Sequence, residues 1–454
     1  MKNITTTLRS LMLLWAVLTL PLFWQSCQDT PTYIEVPEGA DAIRADFAHD
    51  YVVLSLKISK ETSGYTPPVA ARAFGYLGLC LYEASVHGMK GYRSMQGLLN
   101  EFPAGTVPAP EPNVEYHWGI CASAAMAEMM FGLYKSASQD NRNEIVKIRQ
   151  RYESVWIAQI DPAIAERSRE LGKAIGLAVY NYSVSDGLDL CYQNNFPASY
   201  QLPEFPGSWK PTPPTFLPAL QPYWGSARPF IGANVLGTQP PIHPAYASDP
   251  TSLFYAQGLE AWQVSQALTQ EQKVIAEYWS DDPEETFTPG GHSMSIAMQV
   301  LQQENANLTL AAETDAKVGL ALHDAFVSCW KTKYDYNLVR PVHYIRQHFN
   351  PAYDSHLITP PFPEFTSGHS VQAGAAMQVL AEMFGNGYRL TDRSHASRTD
   401  IDGTPRTFNT FIEIAQEAAI SRLYGGIHYR AAIEFGVEQG QKVGRNISAL
   451  PIKE

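Results

Sequence analysis

Charge is scarce in this sequence. Of 454 residues only 17% are Asp, Glu, Lys or Arg, and the 33 basic residues fall short of the 45 acidic ones, for a formal net charge of −12. An acidic balance of this kind excludes a non-specific nucleic-acid binder, which needs a broad positive surface. Little charge beside 45% hydrophobic and 11% aromatic residues excludes a disordered chain, which needs the reverse balance. Cysteine is scarce as well, five in all, and no C-x-x-C pair occurs, which argues against a structural zinc site. The 31 glycines and 32 prolines are scattered and no long heptad run appears, so neither a collagen-like array nor a long coiled coil fits. What remains is an acidic globular chain, long enough for two or three domains or one large one.

The N-terminus carries Lys2 and Arg9 and then an apolar run over 11–24, LMLLWAVLTLPLFW. Spanning a bilayer takes roughly 20 apolar residues, so this run is too short and reads instead as the apolar core of an export signal. Cys27 follows Ser26, and the stretch resembles a bacterial lipoprotein signal in which that cysteine becomes the lipidated first residue. Residues 1–27 are therefore expected to direct export and leave the chain on an envelope membrane, held by its lipid alone. Cys80, Cys121, Cys191 and Cys329 remain. An exported compartment permits disulfides among them, but the apolar helical surroundings of Cys80 and Cys121 favour free, buried thiols.

Past the signal, apolar residues recur at three- and four-residue spacing over 70–87, 117–134, 141–157 and 164–183. This predicts a helical bundle over about 40–195. Thirteen prolines then crowd into 197–250, between Trp209, Tyr223, Trp224 and Phe230. Proline blocks helix interiors, and the aromatics argue for an ordered strap over 196–250 that packs on the bundles. Helical spacing resumes over 252–267, 269–279, 293–302, 308–334, 370–384, 407–424 and 429–445, within a second unit over 251–454. Alternating β patterns are rare, and the expected fold is all-α, with two helical bundles.

Three clusters in the second unit carry chemistry. The first runs from Lys333 to Arg340-Pro341, and alone is an ordinary solvated face. The second is PPFPEFTSGHS, residues 360–370. Here Gly368 lets the backbone approach a ligand closely, and the free N–H groups of the following helix, with the Ser367 hydroxyl, suit an anion. The third is Ser421-Arg422-Leu-Tyr-Gly-Gly-Ile-His428. Together, one lysine, two arginines, a helix N-terminus and the two histidines His369 and His428 describe a pocket for a tetrahedral oxyanion. One histidine can attack or coordinate the central atom while the other moves a proton.

The ordered set K-x6-R-P, S-G-H and S-R-x3-G-x-H resembles the superfamily of vanadium-dependent haloperoxidases and type 2 phosphatidic-acid phosphatases, over about residue 278 to the C-terminus. The resemblance implies that Lys333, Arg340 and Arg422 bind the equatorial oxygens of vanadate or phosphate, with Ser367 and Gly368 beside them. It makes His428 the axial vanadate ligand in a peroxidase, or the nucleophile in a phosphatase, and His369 the acid–base residue. Trp330 and Phe362 match aromatic positions at the halide site of the fungal-type chloroperoxidases. The segment 278–282 resembles the one whose aspartate pairs with the last arginine, which points to Asp282 facing Arg422.

The implied activity is oxidation of a halide by hydrogen peroxide, with vanadate as cofactor and phosphate competing for the same site. The alternatives are a phosphatase acting on a phosphate ester through a phosphohistidine, and a surface lipoprotein that binds phosphate without turnover. Thr366 stands where the family usually has proline, and Ala432 where it has an aspartate that orients the last histidine. Glu434 or a backbone carbonyl is then expected to hold the ring. A look-alike turn, Thr288-Pro-Gly-Gly-His292-Ser293, reads as a helix start near the pocket. His323 and His343 read as packing or surface residues.

Overall fold

The computed structural model describes residues 38–454, so residues 1–27, where the sequence predicts an export signal ending at Cys27, lie outside the described residues. Within them the chain forms fourteen α-helices and one small antiparallel hairpin. The first five helices are α1 (Asp46–Glu61), α2 (Pro67–Ser85), α3 (Trp118–Leu133), α4 (Gln139–Ile157) and α5 (Pro162–Val184). Local chemistry sets their ends: Pro67 and Pro162 open α2 and α5, and the Ser138 and Asp161 side chains cap α4 and α5. The Pro-rich strap holds only short turns and α6 (Ala233–Leu236). Then come α7 (Leu253–Gln266), α8 (Gln270–Tyr278), α9 (Thr288–Gln303), α10 (Leu308–Tyr336), α11 (Pro341–His348) and α12 (Gly368–Phe384). Strands β1 (Leu390–Asp392) and β2 (Arg406–Phe408) precede α13 (Phe411–Tyr424) and α14 (Arg430–Ser448).

The all-α expectation holds, and several boundaries move for identifiable reasons. Helix α9 begins at Thr288, five residues before its apolar periodicity, because Pro289 in the first turn suits a helix start and the two glycines pack inward. The helix expected over 407–424 begins only at Phe411. Thr410 caps it by accepting from the Glu413 N–H at 3.1 Å, while Thr407 pairs with Thr391 in the hairpin. The predicted helices include neither α1 nor the short α11, whose start is fixed by Pro341 at its first position.

A single large core cluster draws on residues from both halves of the chain, Ala40 to Ile452. Helix α2 lies along the central α10, and both give up side chains where they cross: a Cβ on Gly78 would fall 2.3 Å from the Asp315 carbonyl oxygen. Helix α14 nests against α12 in the same way, with Gly440 so close that a Cβ would lie 2.0 Å from the Val371 oxygen. The strap is ordered. Trp209, Trp224 and Phe230 are buried, and the Leu220 carbonyl accepts from Trp330 Nε1 and the Tyr334 hydroxyl. Cys80, Cys121 and Cys329 are buried free thiols, and half-buried Cys191 is also unpaired. Among the described residues no helix is long and apolar enough to cross a membrane.

Candidate active site

Four elements converge on the C-terminal end of α10. Lys333 sits one turn from the end of that helix, which Asn337 closes in the left-handed conformation at φ 48°. Arg340 occupies the cap position before Pro341 of α11. The loop before α12 supplies Glu364, Thr366 and Ser367, and α12 itself begins at Gly368 and His369. Arg422 ends α13, and the turn through Gly426, whose φ of 73° suits glycine, delivers His428 to the start of α14. Lys333, Arg340, Ser367, Arg422 and His428 are all buried.

Lys333 binds the loop. Its Nζ donates to the carbonyls of Pro363 and Glu364, each at 3.0 Å, and to that of Thr366. These use all three ammonium protons. The ammonium also lies over the rings of Phe362 and Trp330, 5.0 and 5.8 Å from their centroids, and the two rings are 5.0 Å apart. Arg340 donates from Nε to the Phe362 carbonyl at 2.9 Å, and from Nη1 to the Ile427 carbonyl at 2.8 Å and to His428 Nε2 at 3.1 Å. Its Nη2 is buried with no protein acceptor. Arg422 donates from Nη1 to the Trp279 carbonyl at 3.0 Å, and its Nε is likewise buried and unpaired. Burial pulls both guanidiniums down to about 10, so they stay charged at neutral pH.

His428 is gripped from both sides. Its Nδ1 lies 2.9 Å from Glu364 Oε1, which also accepts from the Tyr429 N–H at 2.9 Å. With Arg340 donating to Nε2, Nδ1 carries the proton and Nε2 the lone pair. Burial, then the fields of Arg340, Lys333 and Arg422, hold the imidazole well below its ordinary pKa, so it is neutral and basic at Nε2. His369, half-buried at the rim, donates from Nε2 to the Ser280 carbonyl at 3.2 Å, which leaves Nδ1 as the acceptor. Burial and Arg422 lower its pKa as well.

The structure thus brings together Lys333, Arg340, Arg422, His428, His369, Trp330 and Phe362. Ser367 caps α12 by accepting from the Ser370 N–H at 3.4 Å, and Gly368 is placed at the same rim. Asp282 is the exception: it is exposed and forms no ion pair with Arg422, whose Nη1 turns to the Trp279 carbonyl instead. It reaches Arg422 only through its field, which opposes the effect of burial on that guanidinium. Glu434 does not hold the imidazole either, because it faces solvent and lies 3.7 Å from Arg430.

Glu364 is the residue that sequence reasoning missed. Its signal was present: it is the lone acid in the proline-rich loop, in a chain whose usual aspartate position holds Ala432. His292 lies outside this constellation, between Asp281 and Asp392. His323 packs against Tyr76 and Phe230, as a core residue would.

Chemically, the pocket is a buried positive site with two unpaired guanidinium donors and one neutral imidazole acceptor. A buried N–H without an acceptor costs about 1–3 kcal/mol, and a tetrahedral oxyanion removes that cost at both arginines. The residues therefore fit vanadate or phosphate.

The family model described as the VCPO second helical-bundle domain matches residues 313–353 and 347–451. Among solved structures, the chain is similar to the first bacterial vanadium-dependent iodoperoxidase, at 31% identity and a TM-score of 0.77, over 89% of this chain and 96% of that one. It is also similar to a bacterial vanadium-dependent chloroperoxidase. The holo form matches at 16% identity, with a TM-score of 0.65 over 87% of this chain and 95% of that one. The apo form matches at 14% identity, with a TM-score of 0.60 over 87% and 98%. At those identities the chloroperoxidase likeness is one of fold. No curated protein matches the chain.

Proposed function

The chain belongs to the vanadium-dependent haloperoxidase family, and we propose that it oxidises a halide with hydrogen peroxide in the pocket of Lys333, Arg340, Arg422 and His428, iodide most readily. The observation that carries this reading is the pair of unpaired guanidinium donors beside a neutral imidazole with its lone pair on Nε2. In this reading His428 Nε2 is the ligand to vanadium, and Arg340, Arg422, Ser367 and the Gly368 N–H hold the oxygens. Bound vanadate supplies a Lewis-acid centre that activates peroxide without changing oxidation state.

The protein's own groups do the rest. Lys333 spends its protons on the loop carbonyls and so sets the shape of the S-G-H turn, while burial pulls its ammonium down to about 7. His369 receives a peroxide proton at Nδ1 and returns it, since Ser280 holds its other nitrogen and its lowered pKa keeps it neutral. Trp330 and Phe362 give the rim an apolar face for a weakly hydrated anion. Support for iodide comes from the similar iodoperoxidase and from iodide being the most easily oxidised of the common halides.

The Glu364–His428 contact favours a second reading, phosphate-ester hydrolysis, because a carboxylate-oriented neutral imidazole is also what a phosphohistidine route needs. One paired assay separates them: halide-dependent iodination or bromination of a phenolic dye after vanadate loading, beside hydrolysis of a chromogenic phosphate ester. Halogenation without hydrolysis is the expected result. Hydrolysis that vanadate inhibits moves the assignment to a phosphatase. Neither activity, with phosphate still raising the melting temperature, leaves a binding lipoprotein. Export and lipid anchoring through Cys27 belong to the same proposal. They are checked by whether Cys27→Ala releases the chain from membranes, and retention there would remove the lipid anchor.

A further inference from the structure

Behind His369 lies a second group of metal-ligating side chains, separate from the oxyanion pocket. The loop after α8 carries Asp281, the first turns of α9 carry His292, and the segment after β1 carries His395. All three are buried, and each offers a ligand atom within 4.8 Å of the others. Asp281 Oδ2 is 2.8 Å from His292 Nδ1, and Asp281 Oδ1 is 3.2 Å from His395 Nε2. That second approach lacks hydrogen-bond geometry, so His395 Nε2 is a buried ring nitrogen that meets Asp281 only as a close contact within the cluster.

The surroundings have the build of a metal site. His292 Nε2 contacts Asp392 Oδ2 at 2.8 Å, and Asp392 is itself fixed by the Tyr278 hydroxyl at 2.8 Å and the Ser394 N–H at 2.9 Å. A carboxylate on the far nitrogen of a ligating imidazole is the usual outer partner of a metal-bound histidine. Trp279 stacks on His292 at 4.4 Å, and Phe287 on His395 at 5.7 Å, so both rings are held in place. Charge points the same way. Asp281 and Asp392 form ion-pair contacts only with imidazoles. The guanidiniums whose fields reach Asp281 are directed elsewhere, Arg398 to Asp400 and Arg422 to the Trp279 carbonyl. Without a metal, one protonated His292 between Asp281 and Asp392 answers two carboxylates, whereas a divalent cation beside two neutral imidazoles would balance both.

We propose that Asp281, His292 and His395 bind a divalent transition metal, with zinc the best match to two imidazoles and one carboxylate. Binding displaces the proton shared by His292 and Asp281 to solvent. The missing C-x-x-C pairs do not bear on this site, because its ligands are imidazole and carboxylate. Its consequence is local order: the metal clamps the loop whose Ser280 carbonyl receives His369 Nε2.

The test uses the full chain, purified without vanadate, stripped with a chelator, exposed to Zn²⁺ and passed over a chelating resin. One zinc per chain by elemental analysis, with a higher melting temperature than the stripped protein, is expected. Asp392→Asn, which alters only the outer partner, should weaken zinc binding about 10–100-fold, and His395→Gln should abolish it. A wild-type chain that holds no zinc above background overturns the proposal whatever the variants do. Zinc retained equally by wild type and folded His395→Gln overturns it too.

Discussion

The carboxylate that holds the His428 imidazole lies 64 residues earlier in the chain, on the loop that also forms the S-G-H turn. Lys333 grips that same loop through the carbonyls on either side, so the group that orients His428, the proposed vanadium ligand, and the group that shapes the S-G-H turn are one structural unit. Replacing Glu364 by Gln keeps the side-chain shape but removes a carboxyl that burial pushes up to about 7, and with it the ionised form that raises the basicity of Nε2. Vanadate affinity should fall about 10–100-fold, the range for outer partners of metal-bound histidines. Equilibrium dialysis with elemental analysis measures it, and unchanged affinity at unchanged melting temperature would show that the charge is not used. The cationic residues of this site were legible from their spacing. Glu364 was not, because spacing reports neighbours along the chain, and a loop folded across α14 makes its contact through space.

At the scale of elements, the site depends on how closely α14 approaches α12, since the N-terminus of α12 places Ser367, Gly368 and His369. The approach is made at Gly436 and Gly440, one turn apart on α14. At Gly440 a methyl group would press on the Val371 backbone oxygen, which cannot rotate away as a side chain could. Gly440→Ala is therefore expected to destabilise the fold by about 1–3 kcal/mol, the range for overpacking. The melting temperature should drop, and vanadate retention should weaken even below that temperature as the start of α12 shifts. A variant with wild-type melting temperature and retention would mean that the helices can separate without disturbing the turn. Helix existence was readable because apolar periodicity over ten or more residues has few competing explanations. The start of α9, the β1–β2 hairpin and the onset of α13 were not. Those depend on a cap, a proline and a three-residue pairing, each of which acts over a span too short for periodicity to register.

On the scale of the whole molecule, the net charge of −12 describes the surface while the chemistry sits in a buried cluster of positive charge. The two halves that apolar spacing predicts as separate bundles meet in one core, and the meeting point of α1, α2, α3, α9 and α10 encloses an acid. Asp315 on α10 is surrounded by Val52, Phe74, Leu77, Met126 and Met294, and neither carboxyl oxygen has a protein partner. Burial pushes this carboxyl up from its ordinary 3.8 to about 7. Because the folded value is raised, the group's contribution to stability is complete below about pH 4 and is lost as pH rises through about 7. The loss is on the order of 4 kcal/mol, since each pKa unit corresponds to about 1.4 kcal/mol. Asp315→Asn removes the titration at the point where the halves join. Its melting temperature relative to wild type should therefore rise between pH 5 and pH 8. Thermal unfolding of both proteins at the two pH values measures this, and a difference that stays constant would show that the buried Asp315 is already ionised at pH 5 and its pKa is not raised.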